Sequence, residues 1–217
     1  MASIDAHEQE QLDALKVWWK ENRNWLIAVL LIAVISYSGI TFWKSYQHKQ
    51  AVEASTLYAE VLKQVASNDP KRINDSVKVL VDKYAGTAYA SRAQLLAVQT
   101  NMLNKDMPLA KTQLEWVIAH ASESGLQDTA RLKLASILLD EKKYDESMKL
   151  LDATHPESFV GLYSDLKGDV LAAQGKNEDA RAAYKKALNA LDSKSAYRNL
   201  IQLKLDGLGT DSKGGVK

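Results

Sequence analysis

Charge disappears from the chain between Asn24 and Trp43, NWLIAVLLIAVISYSGITFW, and returns at both edges with Arg23 and Lys44. At a helical rise of 1.5 Å per residue, the stretch from Trp25 to Trp43 reaches roughly 28 Å, close to the hydrocarbon thickness of a bilayer. An unpaired span in lipid has to be a helix, because only a helix satisfies its backbone groups within one segment. Trp18, Trp19 and Trp25 stand at or before one end, and Trp43 with Phe42 and Tyr46 at the other, an aromatic belt at headgroup level with Trp25 and Trp43 as its inner members. A cleaved signal peptide is the alternative: Leu26 to Ile35 has the length of its apolar region, and Ser36-Tyr37-Ser38 resembles a cleavage site. Against it, the preceding tail holds five acids (Asp5, Glu8, Glu10, Asp13, Glu21), and the apolar run continues past the cut to Trp43. The reading is an uncleaved anchor.

The leading segment, residues 1–23, places Leu12, Leu15 and Trp19 at helical spacing among polar residues, an amphipathic tail at the membrane surface or a solvated helical extension. Lys16, Lys20 and Arg23 before the span against Lys44 and Lys49 after it put the short tail in the cytoplasm and export the rest. His7-Glu8 lacks the second histidine of a zinc-binding helix, since position 11 is Gln.

From Lys44 onward every segment repeats at helical period, which predicts an all-α fold without a sheet. Helices are expected over Lys44 to Ala66, from Pro70 to a stop at Gly86, over Thr87 to Asn104, and over Pro108 to His120. Further helices are expected over Gln127 to Glu141, Tyr144 to Ala153, Glu157 to Gln174, Asn177 to Leu191 and Ser193 to Asp206. Ser67-Asn68-Asp69-Pro70, Ser122 to Gly125 and Thr154-His155-Pro156 separate them. The domain thus covers 44–206, and 207–217 is a polar Gly/Ser/Lys tail expected to be flexible.

Paired helices with short loops invite a search for repeats. In DLKGDVLAAQGKNEDARAAYKKAL, Asp165 to Leu188, the residues Gly168, Leu171, Gly175, Ala180, Tyr184 and Ala187 stand at the mutual spacings of the tetratricopeptide (TPR) pattern. Thirty-three residues earlier Ala135, Leu138, Ser147 and Leu151 take the places of Gly168, Leu171, Ala180 and Tyr184, with Lys142 at the turn glycine. A looser unit, Ala97 to Val117, is set thirty-eight residues before Ala135 and uses Ala110; the pair Val52 to Tyr84 is degenerate. The prediction is a TPR-like solenoid of about four helix pairs closed by a C-terminal capping helix, with an ordinary bundle as the alternative for the first two pairs.

Composition removes most chemistry. There is no cysteine, hence no disulfide or thiolate site. Lys plus Arg against Asp plus Glu is 3 to 5 in residues 1–43 and 25 to 22 afterwards, with no basic run interleaved with aromatics, so no nucleic-acid partner is expected. His7, His48, His120 and His155 are scattered, and the acid pairs Asp140-Glu141 and Glu178-Asp179 lie at helix ends, where dipole compensation accounts for them. No enzyme activity, cofactor or metal is expected. Within the span Ser36, Ser38, Gly39 and Thr41 gather small and polar groups; Ser36, Gly39 and Thr41 are the candidate face for a membrane partner, with tolerated polarity near the interface as the alternative.

The tail EQEQLDALKVWWKENRNWLI at Glu8 to Ile27, with its segment LDALKVWWKEN at Leu12 to Asn22, resembles the YfgM-like family, ancillary subunits of the bacterial SecYEG translocon. The resemblance covers essentially the whole chain; Arg23 stands where that family is expected to have glycine. It implies an inner-membrane protein with a cytoplasmic N-terminus and a periplasmic TPR domain. It also implies partners: the SecYEG translocon, a membrane-anchored periplasmic chaperone of the prolyl isomerase type, and nascent secretory polypeptides handed on to chaperones. A TPR scaffold that assembles a cell-envelope or division complex is the second functional reading.

Overall fold

The computed structural model describes the backbone of residues 2–67 and 69–209 and the side chains of residues 10–66 and 69–209. Three expectations therefore lie outside the described residues: the tail from position 210, Asn68 of the first breaker, and the side chains of His7 and its acidic neighbours. The chain divides into two units between Gln50 and Ala51.

One helix, α1, runs from Ala2 to Ser67 without interruption. Tail, span and first solenoid helix, expected as three segments, are one. The reason is local: residues 2–67 contain no proline and a single glycine, Gly39, so nothing breaks the helix before Asn68-Asp69-Pro70. Its apolar window has a mean hydropathy of 2.2 and none of it is buried, so this helix is long and apolar enough to cross a membrane.

The second unit stacks helices in pairs. The last turns of α1 precede α2 (Pro70–Tyr84), whose N-terminus is capped by Asp69 Oδ1, accepting from the backbone N–H groups of Lys71 and Arg72. Then follow α3 (Ala88–Leu103) with α4 (Met107–His120), α5 (Ser124–Asp140) with α6 (Tyr144–Leu151), and α7 (Val160–Ala173) with α8 (Asn177–Ala190); α9 (Tyr197–Gly207) follows alone. No strand occurs among the described residues. Boundaries shift where side chains intervene. Residues Glu157–Phe159 form a 3-10 turn ahead of α7, and α9 starts four residues later than expected because Asp192 Oδ1 accepts from Lys194 N–H and holds the preceding residues in a turn. Ser124 and Gly125, expected in a turn, open α5.

Three of the pairs share one turn. Lys105, Lys142 and Gly175 each have positive φ (63°, 61° and 75°). Around them the N–H groups of Asp106, Lys143 and Lys176 bond the carbonyls of Asn101, Leu138 and Leu171 at 2.8, 2.8 and 2.9 Å. This is the six-to-one closure that ends a helix at a left-handed residue, made with glycine once and with lysine twice. The turns register the units thirty-seven and thirty-three residues apart. Val98, rather than Ala97, therefore stands opposite Ala135, one residue away from the thirty-eight-residue alignment expected; with lysine at the turn, no glycine marked the register.

Volumes compensate across each pair. Gly168 faces Tyr184 so closely that an added Cβ would lie 2.4 Å from the ring; in the preceding pairs Ala135 shares a core with Leu151, and Val98 with Leu114. Ala135, Leu151, Ala180 and Ala187 are fully buried, Leu138 and Tyr184 nearly so, and the half-buried Leu171 packs against the core that holds Ala180, Tyr184 and Ala187. Because a ring cannot yield by that much, Gly168→Ala is expected to cost about 1–3 kcal/mol. Adding Tyr184→Leu, which recreates the Ala135–Leu151 combination, should recover part of that loss. Urea titrations of the full chain in detergent, read as a double-mutant cycle, check the coupling.

Candidate interaction surface

The first helices of the pairs present a common face, and on it α5, α7 and α9 enclose a cleft of about 250 Å³. Its apolar lining is Leu132, Leu162 and Leu166, with Ser136; its polar lining is Asp165, Asp169, Tyr197 and Lys204. Asp165 and Asp169 are one helical turn apart on α7, an arrangement that repels unless a cation lies between. Lys204 Nζ supplies it, 3.0 and 2.9 Å from the two oxygens of Asp165 and 2.8 Å from Asp169 Oδ2. Tyr197 donates to Asp165 at 2.5 Å and Tyr184 to Asp169 at 2.8 Å, while the ammonium lies 5.9 Å from the Tyr184 ring centre.

This geometry sets the protonation states. Burial pushes both phenols up, and the carboxylates they donate to add to that, so Tyr184 and Tyr197 stay protonated. Burial raises the Asp169 carboxyl above its usual value against the hydrogen bonds from Lys204 and Tyr184. For Lys204 burial acts downward, but the bonds to Asp169 and Asp165 outweigh it and the ammonium is held above 10.5. A lysine kept charged and tyrosines kept neutral are poor nucleophiles and bases at neutral pH. The cluster fastens α9 to α7 and leaves one net negative charge beside an apolar slot.

The same device recurs one pair earlier. Tyr163 donates to Asp128 at 2.9 Å and Arg131 lies 2.8 Å from the same oxygen, with both Asp128 and Tyr163 almost fully buried. Consecutive first helices are thus clasped by tyrosine to aspartate, α5 to α7 and α7 to α9. Of these residues Tyr184 stood out from the sequence as a repeat position, and Tyr197 and Lys204 only as part of the segment expected to form the capping helix. The readable signal was the pair Asp165 and Asp169 on one side of a largely apolar helix whose single lysine, Lys167, pairs with Asp152, so that the two carboxylates required a cation from elsewhere.

The span residues are placed differently. Trp25 and Trp43 are exposed, and Trp43 lies 6.1 Å from Tyr46, ring centre to ring centre. Ser36 and Gly39, three apart, share one side of α1. Thr41 is roughly 140° or more around the helix from both at about 100° per residue, and its hydroxyl bonds the Tyr37 carbonyl at 2.8 Å. The three do not form one face. His120 stacks on Trp116 and His155 on Tyr163, at 4.7 and 4.1 Å. Among the described residues no three His, Asp or Glu side chains gather as a metal site.

The model of the tetratricopeptide repeat-like domain family matches residues 16–210. A protein of Neisseria gonorrhoeae named ancillary SecYEG translocon subunit is 33% identical over 202 residues, covering 93% of this chain and 97% of the relative. The chain belongs to this family. Proteins of the same name from Aggregatibacter actinomycetemcomitans and Escherichia coli are 28% and 26% identical, over 93% and 94% of this chain and 97% and 98% of their own lengths. No solved structure matches. The family match begins within the tail and takes in both the span and the solenoid, so the two units are parts of one family architecture.

In this translocon-subunit relative the Lys204 cluster predicts a pH-dependent stability. Lys204→Met leaves Asp165 buried without its cation and should cost on the order of 3 kcal/mol at neutral pH. A lysine whose folded pKa is raised stabilises fully below its unfolded value and loses that contribution as pH rises through the folded one. The gap between wild type and Lys204→Met is therefore expected to close as the pH is taken above 10.5. Denaturation of the full chain in detergent at pH 7 to 11 measures it.

Proposed function

We propose that the protein is a membrane-anchored TPR adaptor associated with the SecYEG translocon, which links emerging secretory polypeptides to periplasmic chaperones. The observation that carries the reading is the whole-length likeness to proteins named ancillary SecYEG translocon subunit, span and solenoid included. The anchor is single-pass in the bacterial inner membrane, with residues 1–23 cytoplasmic and the TPR-like domain periplasmic. The lysine and arginine excess before the span supports that orientation. Anchoring raises the effective concentration of the domain at its membrane partners without any new contact. A membrane-anchored periplasmic chaperone of the prolyl isomerase type is the second partner. The exposed first-helix face, with its slot between α5, α7 and α9, offers a surface for recognition, and no enzymatic step belongs to this reading.

The span separates two faces that an experiment can address one at a time. A photo-crosslinking residue at Ser36 reports the side shared with Gly39, and one at Thr41 reports the far side. In native membranes one of the two is expected to capture the channel subunit or the chaperone's anchor, and the other lipid. Lipid at both positions would remove the span as the point of contact. Consistent capture of envelope or division proteins would replace the adaptor with a scaffold.

A further inference from the structure

On the opposite side of the solenoid the second helices α2 and α4 stand apart over α3, leaving a cleft of about 320 Å³. Val77 and Val81 from α2 and Leu109 and Trp116 from α4 make it largely apolar. Exposed Asp75, Lys78 and Thr112 edge it, the two charges of opposite sign. Polar side chains form part of its base. Two of them, Asn74 and Gln113, are completed through Asn101 of α3: Asn101 donates to Gln113 Oε1 at 2.8 Å and to Asn74 Oδ1 at 3.0 Å, and Gln113 donates to Asn74 Oδ1 at 2.9 Å. The third amide of the lining, Gln94 of α3, is only 8% exposed, yet its Oε1 makes no hydrogen bond.

A buried amide without a partner, next to three satisfied ones, is an uncompensated cost. Its terminal torsion is broad, so the amide can turn toward the cleft at little expense. What could satisfy it there is constrained by the chemistry around it. An edge with balanced charges selects neither acids nor bases. A side-chain amide carries an acceptor and donors in one plane, the complement of a peptide group. A folded helix has already spent its peptide groups on itself, whereas an extended chain still has them free.

We propose that this cleft binds an extended apolar segment of an unfolded polypeptide. Gln94 pairs with a backbone peptide group, and one apolar side chain enters between Val77, Val81, Leu109 and Trp116. Recognition of backbone plus any apolar side chain is tolerant of sequence, as a carrier of diverse emerging chains requires. The inference rests on the adaptor reading and gives it a site distinct from the first-helix face.

The test uses the full chain in lipid nanodiscs and fluorescein-labelled, reduced and carboxymethylated lactalbumin as a permanently unfolded probe, read by anisotropy. Gln94→Leu keeps the volume and removes the amide. It is expected to weaken probe binding about fivefold, the size of one net hydrogen bond, while the unfolding temperature stays level or rises. Thr112→Trp, at an exposed edge position, should weaken binding by filling the cleft. Native lactalbumin should bind to neither wild type nor variant. Unchanged probe binding in both variants overturns the inference while leaving the adaptor reading intact, and so does equal binding of the native protein. Absence of any probe binding also overturns it, whereas the adaptor reading is decided separately by what the span captures.

Discussion

Everything in the solenoid depends on how closely the two helices of a pair approach. The left-handed turn fixes where the second helix leaves the first, and the small side chain at the crossing decides whether it can lie against it. At Gly168 the second helix brings a tyrosine ring into the space a Cβ would take, and Ala135 and Val98 each share a core with a leucine of the second helix. Once those contacts are made, the apolar faces of each pair are spent on each other and on the next pair, and the outward sides of the first and second helices are left to water or partners.

Polar groups in the interior carry the register between pairs. Asp165 and Asp128 are buried carboxylates, and each is held by a tyrosine from the following first helix and by a cation. Such groups stabilise little in net terms, because desolvation offsets most of their attraction. A slip of α7 or α9 by one residue would strand a charge in an apolar setting, so they act against the wrong register more than in favour of the right one. The α2–α4 amides follow the same logic with neutral groups, and Gln94 is the member for which the fold supplies no partner.

The sequence was most readable where one residue had one job. The apolar stretch read as a span because it runs past the one plausible cleavage site to Trp43, and Gly168, Gly175 and Tyr184 marked a repeat because each answers a steric demand that few residues meet. The earlier units faded because Lys105 and Lys142 take the left-handed turn without advertising it, and that cost one residue of alignment at Ala97. Helix ends were legible at Pro70 and Pro108. They were less so before α9, where the Asp192 side chain competes with the helix for backbone donors. The Lys204 cluster joins residues up to thirty-nine apart, a relation with no period, and only the like-charged Asp165 and Asp169 hinted at it.

Helix α1 shows the same backbone serving two solvents. No described residue before Ala54 is buried, although Leu30, Ile32, Ile35 and Phe42 carry large apolar side chains that are 64 to 75% exposed. A continuous apolar surface of that kind exceeds what a monomer leaves to water and fits the hydrocarbon of a bilayer. From Ala54 and Val61 onward the same helix buries side chains in the first core of the solenoid. Only the side chains change. The intrahelical hydrogen bonds that lipid demands also satisfy the backbone in water, so the chain passes from one medium to the other without a loop, whose open backbone groups would need partners of their own. That is the physical reason a tail, a span and a solenoid helix can be one uninterrupted element, and why composition marks their limits while the backbone does not.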